Sequence, residues 1–425
     1  MTRTVHRGRW TVDHRAAAAH RYLPVEVPAG AAAVAVALGY DREAGVLDLG
    51  CLGPTGFRGW SGASRPAFAI GSDRATPGYL PGPVEPGTWQ VMLGLHRVAP
   101  EGVRWTVTAT TGGSVDAVAA EAGAELGTVS SRAAAPGRPP RLGPPRLGSP
   151  RRALPAPAGT RWLAGDLHAH TVHSDGALTV PELAALGYDR GLDFLAVTDH
   201  NTVSHHAELA AAGARAGVLL VPGQEVTTDL GHANAFGDIG WVDFRRPADD
   251  WLAEADRRGG LLSVNHPLAA DNAWRQPMRG RPPLAEIWHW TWLDRRWGGP
   301  LAWWLAWHPG AIPIGGSDFH RPGSDAPPGS PTTWVACSTD RLGDDPAAAV
   351  LAGLRAGRVA VSAGLADPAL LRMPGELVAV DADGLLLVDA DGRLTRVRGD
   401  RVTLPAADGP ARLEDHRGAV IALSG

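Results

Sequence analysis

The sequence predicts an α/β protein whose middle part, residues 161–365, is a parallel β/α barrel. Two observations support this prediction: short Leu/Ile/Val runs recur through the region, and helix-like segments lie between them. A third observation concerns the ends of these runs, each of which is followed by His, Asp or Glu. In such barrels the chemistry takes place at the C-terminal ends of the strands.

The regions on either side of the barrel are predicted to be β-rich. Residues 1–125 contain alternating or β-branched runs, such as YLPVEVPAG and TWQVMLGLHRV, divided by Gly and Pro turns, which is typical of a β-sandwich. We expect this module to serve in packing or dimerisation, with ligand binding as the alternative. Residues 126–160 are rich in Pro and Arg and predict an extended linker. Residues 366–425 carry Asp-Gly turns and predict a β-hairpin appendage.

The first apolar run of the barrel region leads into DLHAHTVHSDG. If this segment is a strand, its period of two places His168 and His170 on one face. Asp175 follows in a Ser-Asp-Gly turn and can return its carboxylate to the same point. Two imidazoles and a carboxylate in such proximity indicate a metal site.

The same pattern recurs along the barrel region. The later runs supply Asp199, His200, Glu225, His232, His266, Asp318 and His320. Helix-like segments at 179–188 and 251–258 separate the runs, and Thr179 and Glu182 have the spacing of a capping box. Six histidines at equivalent strand ends could not all be satisfied without cations. We therefore expect more than one ion.

These motifs resemble the PHP (polymerase and histidinol phosphatase) metallohydrolases, and most of all their carbaryl-hydrolase-like, CehA/McbA-type branch. The resemblance covers residues 161–364. HxH followed by HSDG matches His168, His170 and Asp175, and the later ligand positions of the family also have counterparts here. The resemblance implies a distorted seven-stranded β/α barrel that holds two or three divalent ions.

The resemblance also implies a distribution of ligands. One ion would take His168, His170, Glu225 and Asp318; a second Glu225, His232 and His266; a third Asp175, His200 and His320. Glu225 would bridge the first two ions. Asp199 is interpreted as a carboxylate that supports the site, although its role and that of Asp175 could be exchanged. Zinc, manganese and iron all suit such ligands.

The expected chemistry is hydrolysis by a metal-bridging hydroxide. A phosphate ester carries negative charge on several oxygens, so three ions favour a phosphoesterase that acts on a nucleotide, an oligonucleotide 5′ end or a small phosphomonoester. The resemblance to the carbaryl-hydrolase branch favours a carbamate or amide hydrolase instead. A non-catalytic metal-binding module is the third alternative, and the complete set of ligands argues against it.

Substrate contacts are predicted from residues next to the ligands. Arg321 could bind a phosphate or carboxylate, or pair with Asp325. Asn201, Asn234 and Asn265 could donate to substrate oxygens or serve in turns. The Trp-rich stretch 288–307 is either a helical core segment or an aromatic wall that stacks on a base or aryl group.

Composition limits the other function classes. The chain has 425 residues and a net charge of −4, which argues against strong nonspecific binding of nucleic acid. Its two cysteines lie far apart in sequence and indicate neither a disulfide framework nor a thiolate site. We find no signal peptide and no apolar run of membrane-spanning length, so a cytoplasmic location is expected. The oligomeric state is left open.

Overall fold

The computed structural model describes residues 1–127, 153–406 and 408–425. Most of the predicted linker at 126–160 lies outside the described residues. The chain divides into two compact units. The first contains residues 1–127 together with the loops Val172–Asp175 and His200–His205, and the second contains the rest of the described chain.

The first unit is built from two four-stranded antiparallel sheets, with the strand orders β1-β8-β3-β6 and β2-β7-β4-β5. The strands are β1 Thr2–Trp10, β2 His20–Val27, β3 Ala33–Tyr40, β4 Gly45–Gly53, β5 Gly56–Gly62, β6 Ala67–Gly71, β7 Gly87–Val98 and β8 Val103–Gly112. Inward-facing side chains of both sheets share one apolar core, in which Phe68 stacks on Tyr79 with 4.1 Å between ring centroids. Burial of such alternating apolar faces stabilises the pair of sheets.

Two helices accompany these sheets, α1 Val12–Ala17 and α2 Val115–Ala122. The side chain of Ser114 accepts a hydrogen bond from the amide of Ala117 and caps α2 at its N-terminus. Val115 and Val118 of α2 pack against small residues of β3 and β6.

The second unit contains a thirteen-stranded sheet with the strand order β15-β14-β13-β12-β11-β10-β9-β16-β17-β24-β23-β20-β21. Its first nine strands in chain order are β9 Thr160–Asp166, β10 Phe194–Val197, β11 Leu219–Thr228, β12 Gly231–Phe236, β13 Leu261–Val264, β14 Leu284–His289, β15 Ile312–Gly316, β16 Thr332–Ser338 and β17 Val359–Ser362. They are mostly buried runs of Leu, Ile, Val and Ala, as expected of strands covered on both faces.

The predicted mixed α/β class is confirmed, whereas the uniform parallel repeat is wrong at two strands, β12 and β16. Strand β16 is antiparallel to both of its neighbours, β9 and β17. Strands β9, β10 and β11 are parallel to one another, and so are β13, β14 and β15. Between these sets β12 is antiparallel to both neighbours, because a tight turn at Asp229 and Leu230 returns the chain directly from β11. Strands β15 and β16 are not paired through their backbones in the described sheet. They are connected instead by the Thr333 hydroxyl, which accepts a hydrogen bond from the amide of Gly315 and donates one to its carbonyl.

Helices connect the strands of the central sheet: α3 Val180–Arg190, α4 His206–Ala216, α5 Ala248–Arg257, α6 Gly299–Trp307, α7 Thr339–Asp344 and α8 Pro346–Arg355, with a short 3₁₀ turn at Ala270–Asn272. Thr179 and Glu182 form the predicted capping box at the start of α3. Gly191 ends the helix in the left-handed conformation, with φ of 84°. Helix α5 begins three residues earlier than the sequence predicts.

The last part of the chain is more extensive than the predicted hairpin. It contains the strands β18 Ala369–Met373, β19 Glu376–Val380, β20 Leu386–Val388, β21 Leu394–Arg396, β22 Arg401–Pro405, β23 Ala411–Glu414 and β24 Val420–Ser424. β18, β19 and β22 form a separate sheet, while the other four extend the central sheet beyond β17.

Two further features of the sequence have structural counterparts. Cys51 and Cys337 are both buried free thiols, and burial raises the pKa of each to about 12. Among the helices of the described residues, none combines the length and the apolarity that a membrane span requires.

Candidate metal centre

Most of the predicted ligands lie at or beyond strand ends of the central sheet. His168 and His170 follow β9, His266 follows β13, and Asp318 follows β15. Glu225 lies within β11 instead. The antiparallel hairpin of β11 and β12 also places His232 beside Glu225, a pairing that a strictly parallel repeat would not produce.

Glu225 is the centre of the arrangement within the second unit. Its Oε1 lies 3.2 Å from His168 Nε2, 3.2 Å from His232 Nδ1 and 3.2 Å from His266 Nε2. The side-chain amide of Asn265 donates to the same oxygen at 2.8 Å. Glu225 is fully buried, so a carboxylate here requires compensation by cations or donors.

The atoms around His168 Nε2 are arranged as ligands of a shared ion would be, and not as hydrogen-bond partners. Its Nε2 is buried and lies 3.3 Å from Asp318 Oδ1, as well as close to Glu225, yet it makes no hydrogen bond of acceptable geometry. Ligands held tetrahedrally at about 2.0–2.1 Å from one ion are separated from each other by about 3.3 Å. Ligating atoms of His168, His170 and Glu225, and also those of His168, His266 and Asp318, lie within 4.8 Å of one another.

Asp318 divides its two carboxylate oxygens between the centre and an indole. Oδ1 lies 3.1 Å from His170 Nε2 and 3.3 Å from His168 Nε2. Oδ2 accepts a hydrogen bond of 2.8 Å from Trp290 Nε1. One oxygen therefore faces the imidazoles while the other is fixed by the indole.

Glu286 is a buried carboxylate that the sequence analysis missed. Its Oε1 lies 2.8 Å from His168 Nδ1, and its Oε2 accepts the backbone amide of His266 at 2.9 Å. A carboxylate bonded to the outer nitrogen of a ligating histidine fixes the ring orientation and its tautomer. The available signal was a single acid inside the apolar strand LAEIWH.

Asp166, which opens the first motif, supports the backbone of the centre. Its Oδ1 accepts from the amides of His168 and Ser317, at 3.0 and 3.1 Å, and its Oδ2 accepts from that of Gly329 at 2.7 Å. The side chain is fully buried, and this burial raises its pKa even though the three amides act to lower it.

Positive φ values occur at three predicted site residues and at two other non-glycine residues of the described chain, Ala270 and Asp381. His266 and Asp318 have positive φ values of 25° and 53°, and Asn201 in the first unit has one of 55°. Non-glycine residues rarely adopt this conformation, and where they do they often lie at functional sites. The close approach at the end of β15 also requires a glycine, because a Cβ at Gly316 would lie 2.3 Å from Glu286 Oε1.

The electrostatics of the metal-free centre favour protonated imidazoles at His168 and His266 beside an ionised Asp318. Burial acts to lower the pKa of His168, but Glu286, Glu225 and Asp318 outweigh it and raise that pKa well above its usual value. The pKa of His266 is raised for the same reasons, because the neighbouring carboxylates outweigh its burial. Asp318 has a pKa well below its usual range, since the neighbouring histidines outweigh its burial.

The predicted third ligand set has members in both units. In the first unit His200 Nε2 lies 3.5 Å from Asp175 Oδ1. In the second unit the ring of His320 stacks on that of His170, with 4.2 Å between centroids. The third ion stays a prediction.

The predicted Asn and Asp residues mostly hold the structure around the centre. Asp199 accepts from both the amide and the hydroxyl of Thr171, at 2.8 and 2.7 Å, which suits a supporting carboxylate. Asn265 Oδ1 accepts the amide of Asn234, whose own side chain donates to Leu167 O. Asn201 is buried in a loop of the first unit.

Arg321 lies on the surface next to His320. Asp325 Oδ2 accepts the backbone amides of both residues, at 2.8 Å from His320 and 2.6 Å from Arg321. Asp325 thus closes the turn through the backbone. A substrate contact by the exposed Arg321 stays a prediction.

The Trp-rich stretch is not one helix, since Trp288 lies on β14 and α6 begins at Gly299. Its tryptophans differ in exposure. Trp288, Trp292 and Trp304 are buried, Trp303 and Trp307 are half-buried, and Trp290 and Trp297 are exposed. The core interpretation therefore holds for three of the seven.

Sequence relatives of known name match only a short part of the chain, and no protein-family profile matches it. The chain is 38% identical over 64 residues to a 5′-3′ exoribonuclease of Haemophilus influenzae, a match to 15% of this chain and 23% of the relative. It is 44% identical over 66 residues to a 3′,5′-nucleoside bisphosphate phosphatase of Chromobacterium violaceum, a match to 16% of this chain and 23% of the relative. The match thus spans under a quarter of each relative.

Among solved structures, a two-domain protein from Bacteroides vulgatus containing a predicted PHP-like metal-dependent phosphoesterase resembles 64% of this chain and 89% of its own, at 18% identity and a TM-score of 0.37. An amidohydrolase from Chromobacterium violaceum resembles 38% of this chain and 89% of its own, at 19% identity and a TM-score of 0.30. The prediction of a metal-dependent hydrolase fits the names of the curated relatives and the clusters of ligating atoms.

Proposed function

We propose that this protein is a metal-dependent phosphoesterase whose substrate is a nucleotide, an oligonucleotide 5′ end or a small phosphomonoester. The observation that carries the proposal is the convergence of three imidazole nitrogens on one buried carboxylate oxygen, each at 3.2 Å from Glu225 Oε1. A buried group of this composition is stable when cations neutralise it. Both curated relatives bear the names of enzymes that act on nucleotides or RNA.

The donor set fits divalent ions, since imidazole and carboxylate together suit zinc, manganese or iron. The ligands would be His168, His170, Glu225, His232, His266 and Asp318, with Asp175, His200 and His320 for a third ion. Bound ions would supply Lewis-acid activation of water and neutralise charge on the phosphoryl oxygens.

The residues around these ligands have positioning roles. Asn265 orients Glu225 through its side-chain amide, and Glu286 orients His168. Trp290 holds one oxygen of Asp318, which leaves the other for the centre. Preorganised groups of this kind need no rearrangement during the reaction, which lowers its barrier. We assign Arg321, on the loop after His320, to a substrate phosphate.

We also propose that the protein belongs to the PHP family in its carbaryl-hydrolase-like branch, that its central sheet forms a distorted seven-stranded barrel, and that it binds two or three ions. Carbamate hydrolysis is the alternative function, and a carbamate substrate would develop charge on a single oxygen. An aryl carbamate is therefore included in the assay as the competing substrate.

Parallel assays test the proposal. Metal content is measured on the purified protein. Hydrolysis is then assayed with three substrates: nitrophenyl phosphate, a 5′-phosphorylated oligonucleotide and an aryl carbamate. We expect turnover of a phosphoester and its loss, by at least about 100-fold, in His168→Ala and Glu225→Ala. Turnover of the carbamate alone, or full phosphoesterase activity in Glu225→Ala, would refute the proposal.

A further inference from the structure

We propose that Trp290 forms a stacking subsite for the nucleobase of the substrate, next to the metal centre. The inference rests on the proposed function and adds to it, because it selects phosphoesters that carry a base over those that do not. The inference is based on the indole of Trp290, which donates a hydrogen bond to a predicted metal ligand and also has a large exposed surface.

The indole is fixed at its polar edge. Nε1 donates to Asp318 Oδ2 at 2.8 Å, while the other oxygen of that carboxylate faces His168 and His170. The carboxylate of Asp318 therefore lies between the ring and the imidazoles of His168 and His170. In a nucleotide the base is separated from the phosphate by one sugar, so a phosphate at the centre would bring the base to the neighbouring surface.

The exposure of the ring is not explained by packing. Trp290 leaves 44% of its surface open to solvent, whereas Trp288 and Trp292, two positions away on either side, are 5% and 3% exposed. Those two rings pack edge to face, with 5.5 Å between centroids, and so fill the apolar interior of this segment. Trp290 is thus free to present an aromatic surface to a ligand.

Base stacking is the chemistry that such a surface offers. Every nucleobase has a π-face, and stacking on an aromatic side chain strengthens binding by about fivefold to more than 100-fold per base, whatever the sequence. The subsite would therefore discriminate between substrates with and without a base, and only weakly among bases.

Two substitutions separate stacking from the orientation of Asp318. Trp290→Phe keeps an aromatic face and removes the N–H donor, whereas Trp290→Leu removes both. Trp297→Leu is the matched control, because Trp297 lies in the same stretch, is 52% exposed, and among the described residues its side chain makes no hydrogen bond to a predicted ligand. For each protein kcat/KM is measured with adenosine 5′-monophosphate and with ribose 5-phosphate.

We expect the ratio of the two kcat/KM values to fall at least about fivefold in Trp290→Leu and to stay within about twofold of wild type in Trp290→Phe and Trp297→Leu. In Trp290→Phe both individual rates should fall together, since Asp318 loses a donor. Equal losses for both substrates in both Trp290 variants would show that Trp290 acts through Asp318 alone and would overturn the stacking subsite.

A binding measurement keeps this inference separable from the proposed function. The fluorescence of 2-aminopurine riboside 5′-monophosphate is quenched when the base stacks, and it is recorded with metal-free and zinc-loaded protein. Quenching by wild type and Trp290→Phe but not by Trp290→Leu supports the subsite, even if no phosphoester is hydrolysed and the proposed function fails. Undiminished quenching by Trp290→Leu, or none by wild type, would overturn it.

Discussion

Glu286 Oε1 lies 2.8 Å from His168 Nδ1, and both side chains are fully buried. The opposite nitrogen of the ring, Nε2, is directed at Glu225 and Asp318. The ring of His168 is therefore held between a carboxylate outside the centre and two carboxylates within it. Glu286 also accepts the amide of His266 and so connects two predicted ligands from different strand ends.

Substitution of Glu286 should weaken metal binding without removing a ligand. In Glu286→Gln one carboxylate oxygen becomes an NH₂ group, which cannot accept a hydrogen bond, so only one of the two donors, His168 Nδ1 and the amide of His266, keeps its acceptor. We expect metal affinity to fall about 10–100-fold, as is usual when such an orienting partner is lost. Isothermal titration with zinc or manganese measures the change.

Glu376→Gln is the control for this prediction, because Glu376 is an exposed acid on β19. It should bind metal as wild type does. Wild-type affinity in Glu286→Gln, with the fold intact by circular dichroism, would exclude the orienting role.

The sequence shows the candidate ligands more readily than the residues around them. His and Asp following apolar runs are visible as a pattern, and the capping box at Thr179 and Glu182 is a local signal. Glu286 was missed, and Trp290 was named only as one tryptophan of the Trp-rich stretch, because their roles depend on partners distant in sequence, His168 and Asp318. The antiparallel β12 was missed because the short buried run GHANAF has no periodicity that indicates direction.

A methyl group at Gly316 should disturb the centre from the backbone side. In Gly316→Ala the new Cβ would lie 2.3 Å from Glu286 Oε1 and 2.6 Å from His168 Cβ, and buried backbone leaves little room for either to move. We expect a loss of about 1–3 kcal/mol in the free energy of unfolding, together with weaker metal binding. Urea unfolding and metal titration measure the two effects.

Gly343→Ala provides the comparison, because a Cβ at Gly343 in α7 would meet no atom within 4 Å. It should be neutral or slightly stabilising in a helix. If Gly316→Ala unfolds at the wild-type urea concentration, the predicted close packing around Glu286 is wrong.

Asn265 should contribute to stability even when no substrate is present. Its side chain donates to Glu225 Oε1 and accepts the amide of Asn234, and both partners are fully buried. Asn265→Ala leaves that buried amide without its acceptor, at a cost of about 1–3 kcal/mol. Thermal unfolding of the metal-free protein measures this effect.

Asn272→Ala is the matched substitution, since Asn272 is exposed in the 3₁₀ turn after β13. It should unfold with the wild-type midpoint. If Asn265→Ala loses activity while its metal-free stability is unchanged, Asn265 contacts substrate, which is one of the two roles that the sequence suggests, and does not primarily hold Glu225.

Metal binding should release protons near neutral pH. In the metal-free protein the pKa of His168 is raised well above its usual value and that of His266 is raised too, because neighbouring carboxylates outweigh burial. His168 therefore carries a proton at pH 7, whereas an imidazole binds a metal through an unprotonated nitrogen. Fewer protons compete with the metal for the imidazole as pH rises, so metal affinity should increase from pH 6 to pH 8. Titration calorimetry in two buffers of different ionisation enthalpy counts the protons, and His168→Ala should release fewer. Affinity that is independent of pH over this range would contradict direct binding of a metal by the imidazole of His168.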